Sequence, residues 1–220
     1  RRQRQMCIRD RYTYAGYSVS LNDDGTIVAI GEPLYTYSST ERGLVRVFEY
    51  SSGSWSEKGN RFQGSDPYDY FGWCVSLIGT TRPILAVGAR GADDKGYTRA
   101  YYWSGSSWSQ MGSDIIGNAN YDWNVQYTRG PIISFGRPSD FNMYYGYNAI
   151  LALGEPTEAR TSVYKYTNQS GYNYEWVKLG SDIDGEAGND RSGYTVSLNY
   201  DGSILAIGAP YANSYAGHVL

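Results

Sequence analysis

A chain of 220 residues is long enough to bury a substantial core and short enough to be a single all-β domain. Its formal charge of −3, with acidic and basic residues interleaved, leaves no electrostatic footprint for a nucleic-acid backbone or an anionic membrane, and no apolar run reaches the ~18 residues of a membrane span. With 24 Tyr and 27 Gly, sparse Leu and no helical apolar stripe, it reads as many short strands joined by tight turns.

The basic start, Arg1 to Arg11, has no apolar segment and matches nothing that follows. It is set aside as a non-native or disordered segment at residues 1–11, and no signal sequence is present in this segment. Two cysteines, Cys7 and Cys74, are too few for a disulfide scaffold, so Cys74 is expected as a buried free thiol of an inner strand.

The first unit spans residues 12–64. Ser18 to Leu21 and Thr26 to Gly31 are two strands around the turn Asn22-Asp23-Asp24-Gly25, a strong hairpin signal. A polar loop leads to a third strand, Gly43 to Tyr50, in which Val45 and Val47 alternate with Arg46 and Phe48. Ser54 to Gly59, carrying Trp55, is a wetter fourth strand. The second unit, residues 65–117, repeats this grammar at Phe71 to Leu77, Pro83 to Ala89, Gly96 to Trp103 and Gly105 to Gly112.

From Gly31 to Gly88 is 57 residues and from Trp55 to Trp108 is 53, so two independent landmarks share one period. In the third unit, residues 118–185, the later strands are clear at Asn148 to Gly154, Ser162 to Tyr166 and Tyr174 to Gly180. Its first strand is not: residues 118–147 read as an insertion with candidates at Trp123 to Tyr127 and Ile132 to Phe135. The fourth unit, residues 186–220, opens with Gly193 to Gly208, a close copy of Gly16 to Gly31, and stops inside its third strand.

A four-stranded antiparallel sheet cannot bury both faces alone, so the copies must stack, and radial stacking is a β-propeller. Gly31, Gly88, Gly154 and Gly208 each follow Ala-Ile, Ala-Val or Ala-Leu, where an inner strand leaving a crowded centre has no room for a side chain. Trp55, Trp108 and Trp176 recur at one phase and are expected to pack between adjacent blades.

Phe71-Gly72 before a first strand, altered to Ala15-Gly16 and Ser192-Gly193, and Gly208-Ala209-Pro210 after a second, altered to Gly31-Glu32-Pro33, Gly88-Ala89-Arg90 and Gly154-Glu155-Pro156, resemble the FG-GAP repeats of integrin alpha-chain propellers and of many bacterial and algal surface proteins. The resemblance implies an all-β propeller of four-stranded antiparallel blades, with about three and a half blades here of seven. It also implies that further blades of the same propeller are partners, and that an isolated chain with uncovered end blades associates or dissolves poorly.

Propellers of that family often hold calcium in a loop resembling Asp-x-Asp-x-Asp-Gly-x-x-Asp. Here the equivalents are Ser20, Asn22, Asp24, Gly25 and Val28, and Ser197, Asn199, Asp201, Gly202 and Leu205, both without the closing carboxylate. Hairpin turns explain both better. Asp182, Asp184, Glu186 and Asp190 are the remaining candidate set for a cation, with Asp66, Asp69, Asp93 and Asp94 weaker.

Catalytic chemistry has little to work with. His218 is the single histidine, no glycine-rich segment opens a helix in phosphate-binding spacing, and nothing selects a carboxylate pair for glycoside hydrolysis. No cofactor is expected, calcium apart.

Binding is better motivated, because loops after second strands and between units are long and varied while the opposite turns are short. Tyr35, Tyr37, Tyr68, Tyr70, Tyr144 and Tyr145 on those loops are the candidate ligand contacts, suited to a protein or a glycan. The expected function is a non-catalytic extracellular or cell-surface binding or adhesion module. A purely structural repeat segment and a propeller glycosidase or lyase are the alternatives.

Overall fold

A computed structural model describes residues 13–91, 95–117, 132–137, 148–171 and 173–220. The first sheet contains β1 (Ser18–Leu21), β2 (Ile27–Glu32), β5 (Leu44–Ser51), β6 (Ser54–Glu57) and β7 (Phe62–Gln63), in spatial order β1-β2-β5-β6 with β7 also on β5. Between β2 and β5 a separate hairpin of β3 (Thr36–Tyr37) and β4 (Thr40–Glu41) projects outward. The second sheet comprises β8 (Cys74–Ile78), β9 (Ile84–Ala89), β10 (Tyr97–Trp103), β11 (Trp108–Gln110) and β12 (Ile115–Ile116). The third has β13 (Ile132–Gly136), β14 (Ile150–Glu155), β15 (Arg160–Ser170), β16 (Asn173–Lys178) and β17 (Ile183–Asp184), and the fourth β18 (Thr195–Leu198), β19 (Leu205–Ala209) and β20 (His218–Val219).

Every pairing within these four sheets is antiparallel, and the chain is all-β with blade topology. Of the two candidates for the third unit's first strand, Ile132 to Phe135 is the one that forms, pairing with β14 from Ile132↔Gly154 to Gly136↔Ile150. Trp123 to Tyr127 lies outside the described residues, as do residues 1–12.

Each outer strand proves to be longer than its sequence suggests, and broken. Lys58 donates its N–H to the Val47 carbonyl at 2.7 Å, the chain bulges, and β7 resumes along the same edge of β5 opposite Leu44 and Val45. Met111 with Ala100, followed by β12, and Leu179 with Val163, followed by β17, repeat the device. The bulge leaves the Lys58 and Met111 carbonyls turned toward the following sheet. There Trp108 donates its indole N–H to Lys58 at 2.9 Å, and Trp176 donates to Met111 at 3.0 Å. Trp55 instead lies against Tyr50 of its own hairpin, ring centroids 5.3 Å apart.

Two apolar cores lie between sheets. Ile27, Ala29, Val45 and Val47 of the first sheet meet Val75, Leu77, Leu85, Val87 and Ala89 of the second. The opposite face of the second sheet, with Ile84, Ala86, Ala100 and Met111, meets Ile133, Phe135, Leu151 and Leu153 of the third. Each fully buried aliphatic side chain contributes about 1.5–3 kcal/mol, so these two layers dominate the stability. Because both its faces are covered, β9 is buried along all six residues, and β14 likewise. Cys74 is a free thiol packed against the second core; the residue as a whole is half-buried, and burial pushes its thiol up to about 11.

The glycine positions have a more specific cause than crowding at the centre. A Cβ on Gly31 would stand far inside contact distance of the Gly72 carbonyl oxygen, and one on Gly154 equally close to that of Gly193. In the first and third sheets the second-strand glycine therefore receives the backbone of the glycine that opens the next sheet. Gly208 meets only the Thr195 side chain of its own sheet, while Gly88 sits in β9 opposite Cys74 and Thr98. Hydroxyls complete the contact: Leu77 donates its N–H to Ser20 Oγ, and Leu198 to Ser134 Oγ, both at 2.9 Å.

Candidate binding face

The connection between the first and second sheets is tied down by one carboxylate. Asp69 is buried, its Oδ2 accepting the Asp66 N–H at 2.9 Å and the Tyr97 hydroxyl at 2.8 Å, while its carbonyl accepts the Gly91 N–H at 3.0 Å. Asp190 repeats this between the third and fourth sheets, its Oδ2 taking the Ala187 N–H at 2.8 Å and its carbonyl the Tyr211 N–H at 3.2 Å. Loop and connection thus lie on one face of the scaffold, where Arg42 also donates to the Ser65 carbonyl.

With Asp69 turned inward, its neighbours turn out. Tyr68 and Tyr70 both have positive φ, 64° and 50°. Tyr14 and Arg191, two residues before Gly16 and Gly193 as Tyr70 is before Gly72, have φ of 55° and 52°, so this left-handed position belongs to the repeat. Tyr68 has no such excuse: its counterpart Asn189 does not share the conformation, and a strained residue of this kind costs on the order of 1–3 kcal/mol.

Four rings form a row on this face. Tyr17 and Trp73 approach to 4.8 Å between centroids, Trp73 and Tyr70 to 6.4 Å, and Tyr70 and Tyr68 to 6.4 Å. The Arg90 guanidinium lies 5.3 Å over Trp73, within cation–π range. Burial, then the nearby Glu41 carboxylate, raises the Tyr70 hydroxyl above the usual tyrosine range, which keeps it a proton donor. The fourth sheet carries a smaller version, with Tyr194 6.3 Å from Tyr211 and Arg191 4.9 Å over the Tyr211 ring.

Beside the row opens a polar cleft of about 370 Å³, lined by Asp66, Asp69, Lys95, Tyr97, Arg99 and Asp114. Arg99 grips Asp114 with two parallel bonds of 2.7 and 2.6 Å, the hydrogen bonding to Asp114 holding the guanidinium even more firmly charged than usual. Burial, then Asp69, pushes the Tyr97 hydroxyl up. The cleft therefore offers fixed donors and acceptors next to flat ring faces.

Of the tyrosines singled out from sequence, Tyr68 and Tyr70 fall in the row. Tyr37 is exposed on the β3–β4 hairpin, and Tyr35 is half-buried at its base, its carbonyl taking the Arg42 and Gly43 N–H groups. Tyr144 and Tyr145 lie outside the described residues. Sequence reasoning missed Tyr17, Trp73 and Arg90, although a signal existed: Tyr17, Trp73 and Tyr194 each directly follow the glycine that opens a unit.

The acidic set does not converge. Asp182 accepts from Ser162 and pairs with Lys178; burial alone would raise its carboxyl, but those two hydrogen bonds outweigh it and the group is held below the usual range. Asp190 caps its own turn, Asp184 is exposed, and Glu186 is exposed 3.8 Å from His218. The hairpin carboxylates Asp24 and Asp201 accept from Thr26 and Ser203. Among the described residues no three His, Cys, Asp or Glu side chains gather around a point where a cation could sit.

Residues 64–102 match the FG-GAP repeat. The chain carries an FG-GAP repeat. The matched stretch contains most of the aromatic row and, of the cleft residues, Asp66, Asp69, Lys95, Tyr97 and Arg99, so the candidate face is built on the repeat itself. No curated protein matches the chain. Among solved structures, a complex of KlAtg21 with the coiled coil of AgAtg16 aligns at 10% identity and TM-score 0.40, covering 88% of this chain and 77% of that one. A Bacteroides uniformis protein assigned as a 6-phosphogluconolactonase aligns at 10% identity and TM-score 0.38, covering 93% and 70%. At those TM-scores neither alignment bears on this chain's fold or activity.

Proposed function

We propose that the FG-GAP blades of this chain form a non-catalytic binding or adhesion module of the cell surface or extracellular space, and that its ligand face is the one bearing the long loops. The observation that carries the reading is the row Tyr17, Trp73, Tyr70 and Tyr68, capped by Arg90 and bordered by the 370 Å³ cleft. Ring faces beside fixed hydrogen-bonding groups suit a glycan, whose apolar ring faces stack while its hydroxyls both donate and accept. A protein partner would use the same aromatic row as its anchor.

A hydrolytic reading is less favoured by the cleft, where Asp69 and Asp114 are both engaged in bonds that hold the fold. The test is a glycan array probed with the wild-type chain and with Trp73→Ala. Signal on a defined set of glycans, lost in Trp73→Ala at unchanged melting temperature, is the expected result. A wild-type chain that binds no glycan on the array overturns the glycan reading, and equal binding by both chains overturns the assignment of the face.

A further inference from the structure

The outer hairpins of the first two sheets end soon after their tryptophan, and that of the third does not. In the first sheet one more pair, Ser51↔Ser54, follows Tyr50↔Trp55, and in the second Trp103↔Trp108 is the last. In the third, Tyr166↔Trp176 is followed by Thr167↔Glu175, Asn168↔Tyr174 and Ser170↔Asn173, with a register shift at Gln169. Asn168, Gln169 and Ser170 are all exposed on this projecting tip.

Asn168-Gln169-Ser170 is also the one place in the 220 residues where an asparagine is followed by a residue other than proline and then by serine or threonine. That is the pattern required of an asparagine that accepts an oligosaccharide on its amide. The structure adds two conditions to the pattern and the exposure. Asn168 Nδ2 donates to the Gly171 carbonyl with one of its two hydrogens, so the other is left to be replaced while the turn keeps its bond. Tyr174 stands directly across the ladder from Asn168, and therefore on the same side of the hairpin. Its ring lies beside Tyr166, centroids 5.9 Å apart, and is only half-buried, so a flat apolar surface borders the asparagine.

We propose that Asn168 is the attachment site of an N-linked oligosaccharide whose first sugar packs on Tyr174. The proposal rests on the cell-surface or extracellular reading above, because the transfer acts on chains that enter a secretory compartment. The step joins Asn168 Nδ2 to the anomeric carbon of a lipid-diphosphate-linked oligosaccharide. That carbon's bond to the diphosphate oxygen breaks, the lipid diphosphate leaves, and one Nδ2 proton is released. Asn168 lies eight residues along β15 from Arg160, where the strand leaves the long-loop face, a distance of about 26 Å at the usual rise. A glycan there leaves the aromatic row uncovered.

The test sends the full chain through the secretory pathway of cultured animal cells behind an added leader, with Asn168→Gln, Ser170→Ala, Ser170→Thr and Tyr174→Ser in parallel. Mass spectrometry of the wild type is expected to show an oligosaccharide on Asn168 that peptide-N-glycosidase removes, leaving aspartate at that position. Ser170→Thr should carry it too, while Asn168→Gln and Ser170→Ala should lack it. Occupancy is read on both the secreted and the cell-retained chain, so poor secretion does not hide it. Enzymatic removal is expected to lower the melting temperature of the wild type and to change that of Tyr174→Ser less, a comparison within each chain that cancels the effect of the substitution on the fold. A wild-type chain with unmodified Asn168 overturns the assignment, and removal that leaves the wild-type melting temperature unchanged overturns the packing on Tyr174. Neither result touches the binding of glycans at Trp73, and an array without signal leaves the occupancy of Asn168 as measured, so the two readings fail separately.

Discussion

The hairpins of the first and fourth sheets are the same object in two environments. In each, an asparagine side chain accepts the N–H five residues on, Ile27 to Asn22 at 2.8 Å and Ile204 to Asn199 at 2.9 Å. An aspartate accepts from the residue two beyond, and the glycine between them has φ of 73° or 74°. Their surroundings differ. Asn22 is buried and donates across to the Gly79 carbonyl of the second sheet at 3.0 Å, whereas Asn199 turns back to Ser203 of its own turn. Ile27 is 1% exposed and Ile204 65%. Turn geometry is thus written in the local sequence, while burial is conferred by the neighbouring sheet.

That contrast is open to direct attack. The largest effect is expected at the isoleucines: Ile27→Ala removes a core side chain and should cost about 2–5 kcal/mol in urea unfolding, while Ile204→Ala should stay within about 0.5 kcal/mol. Equal losses would mean that the two sheets are packed alike. Next, Gly31→Ala forces a Cβ against the backbone carbonyl of Gly72, which cannot rotate away, and should destabilise by about 1–3 kcal/mol. Gly208→Ala meets only a rotatable Thr195 hydroxyl and should cost clearly less by the same measurement.

Trp108→Phe keeps most of the buried ring but leaves the Lys58 carbonyl without its indole donor, so a loss of about 1 kcal/mol is expected. Trp55→Phe, whose ring contact stays within its own hairpin, should change the midpoint less.

The smallest effect concerns pH. Hydrogen bonds from Thr26 and Ser203 hold the Asp24 and Asp201 carboxyls below their ordinary value. A depressed folded-state value means that the contribution is present above the unfolded carboxylate range and is lost as pH falls through the folded one. An Asp24→Asn, Asp201→Asn double variant should therefore show a shallower fall in melting temperature on acidification, by an amount small for such solvent-exposed groups.

What could be read from the chain follows the same division. Strand pairs, Asp-Gly turns and the glycine period are local, and they were legible. The third unit's first strand is ambiguous in sequence because residues 118–147 lengthen the spacing from Gly88 to Gly154 to 66 residues and hold two candidate strands. The resumed outer strands β7, β12 and β17 were invisible because each is only two residues long and is fixed by a partner strand rather than by its own pattern.

On the candidate face, Tyr68 and Tyr70 stand out by composition. The bond from Tyr97 to Asp69 spans 28 residues, and no reading of either segment alone reveals it. Trp73 and Arg90 read in sequence only as the edges of strands. Their meeting depends on how a connection and a loop fold over one another.

Amide exchange followed by NMR in wild type, Ser20→Ala and Ser134→Ala tests most directly whether successive sheets lie face to face. Removing the Ser20 hydroxyl should speed exchange of the Leu77 amide and leave Leu198 unchanged, and removing that of Ser134 should do the reverse. A Leu77 amide indifferent to Ser20→Ala would contradict the stacking on which every inter-sheet contact described above depends.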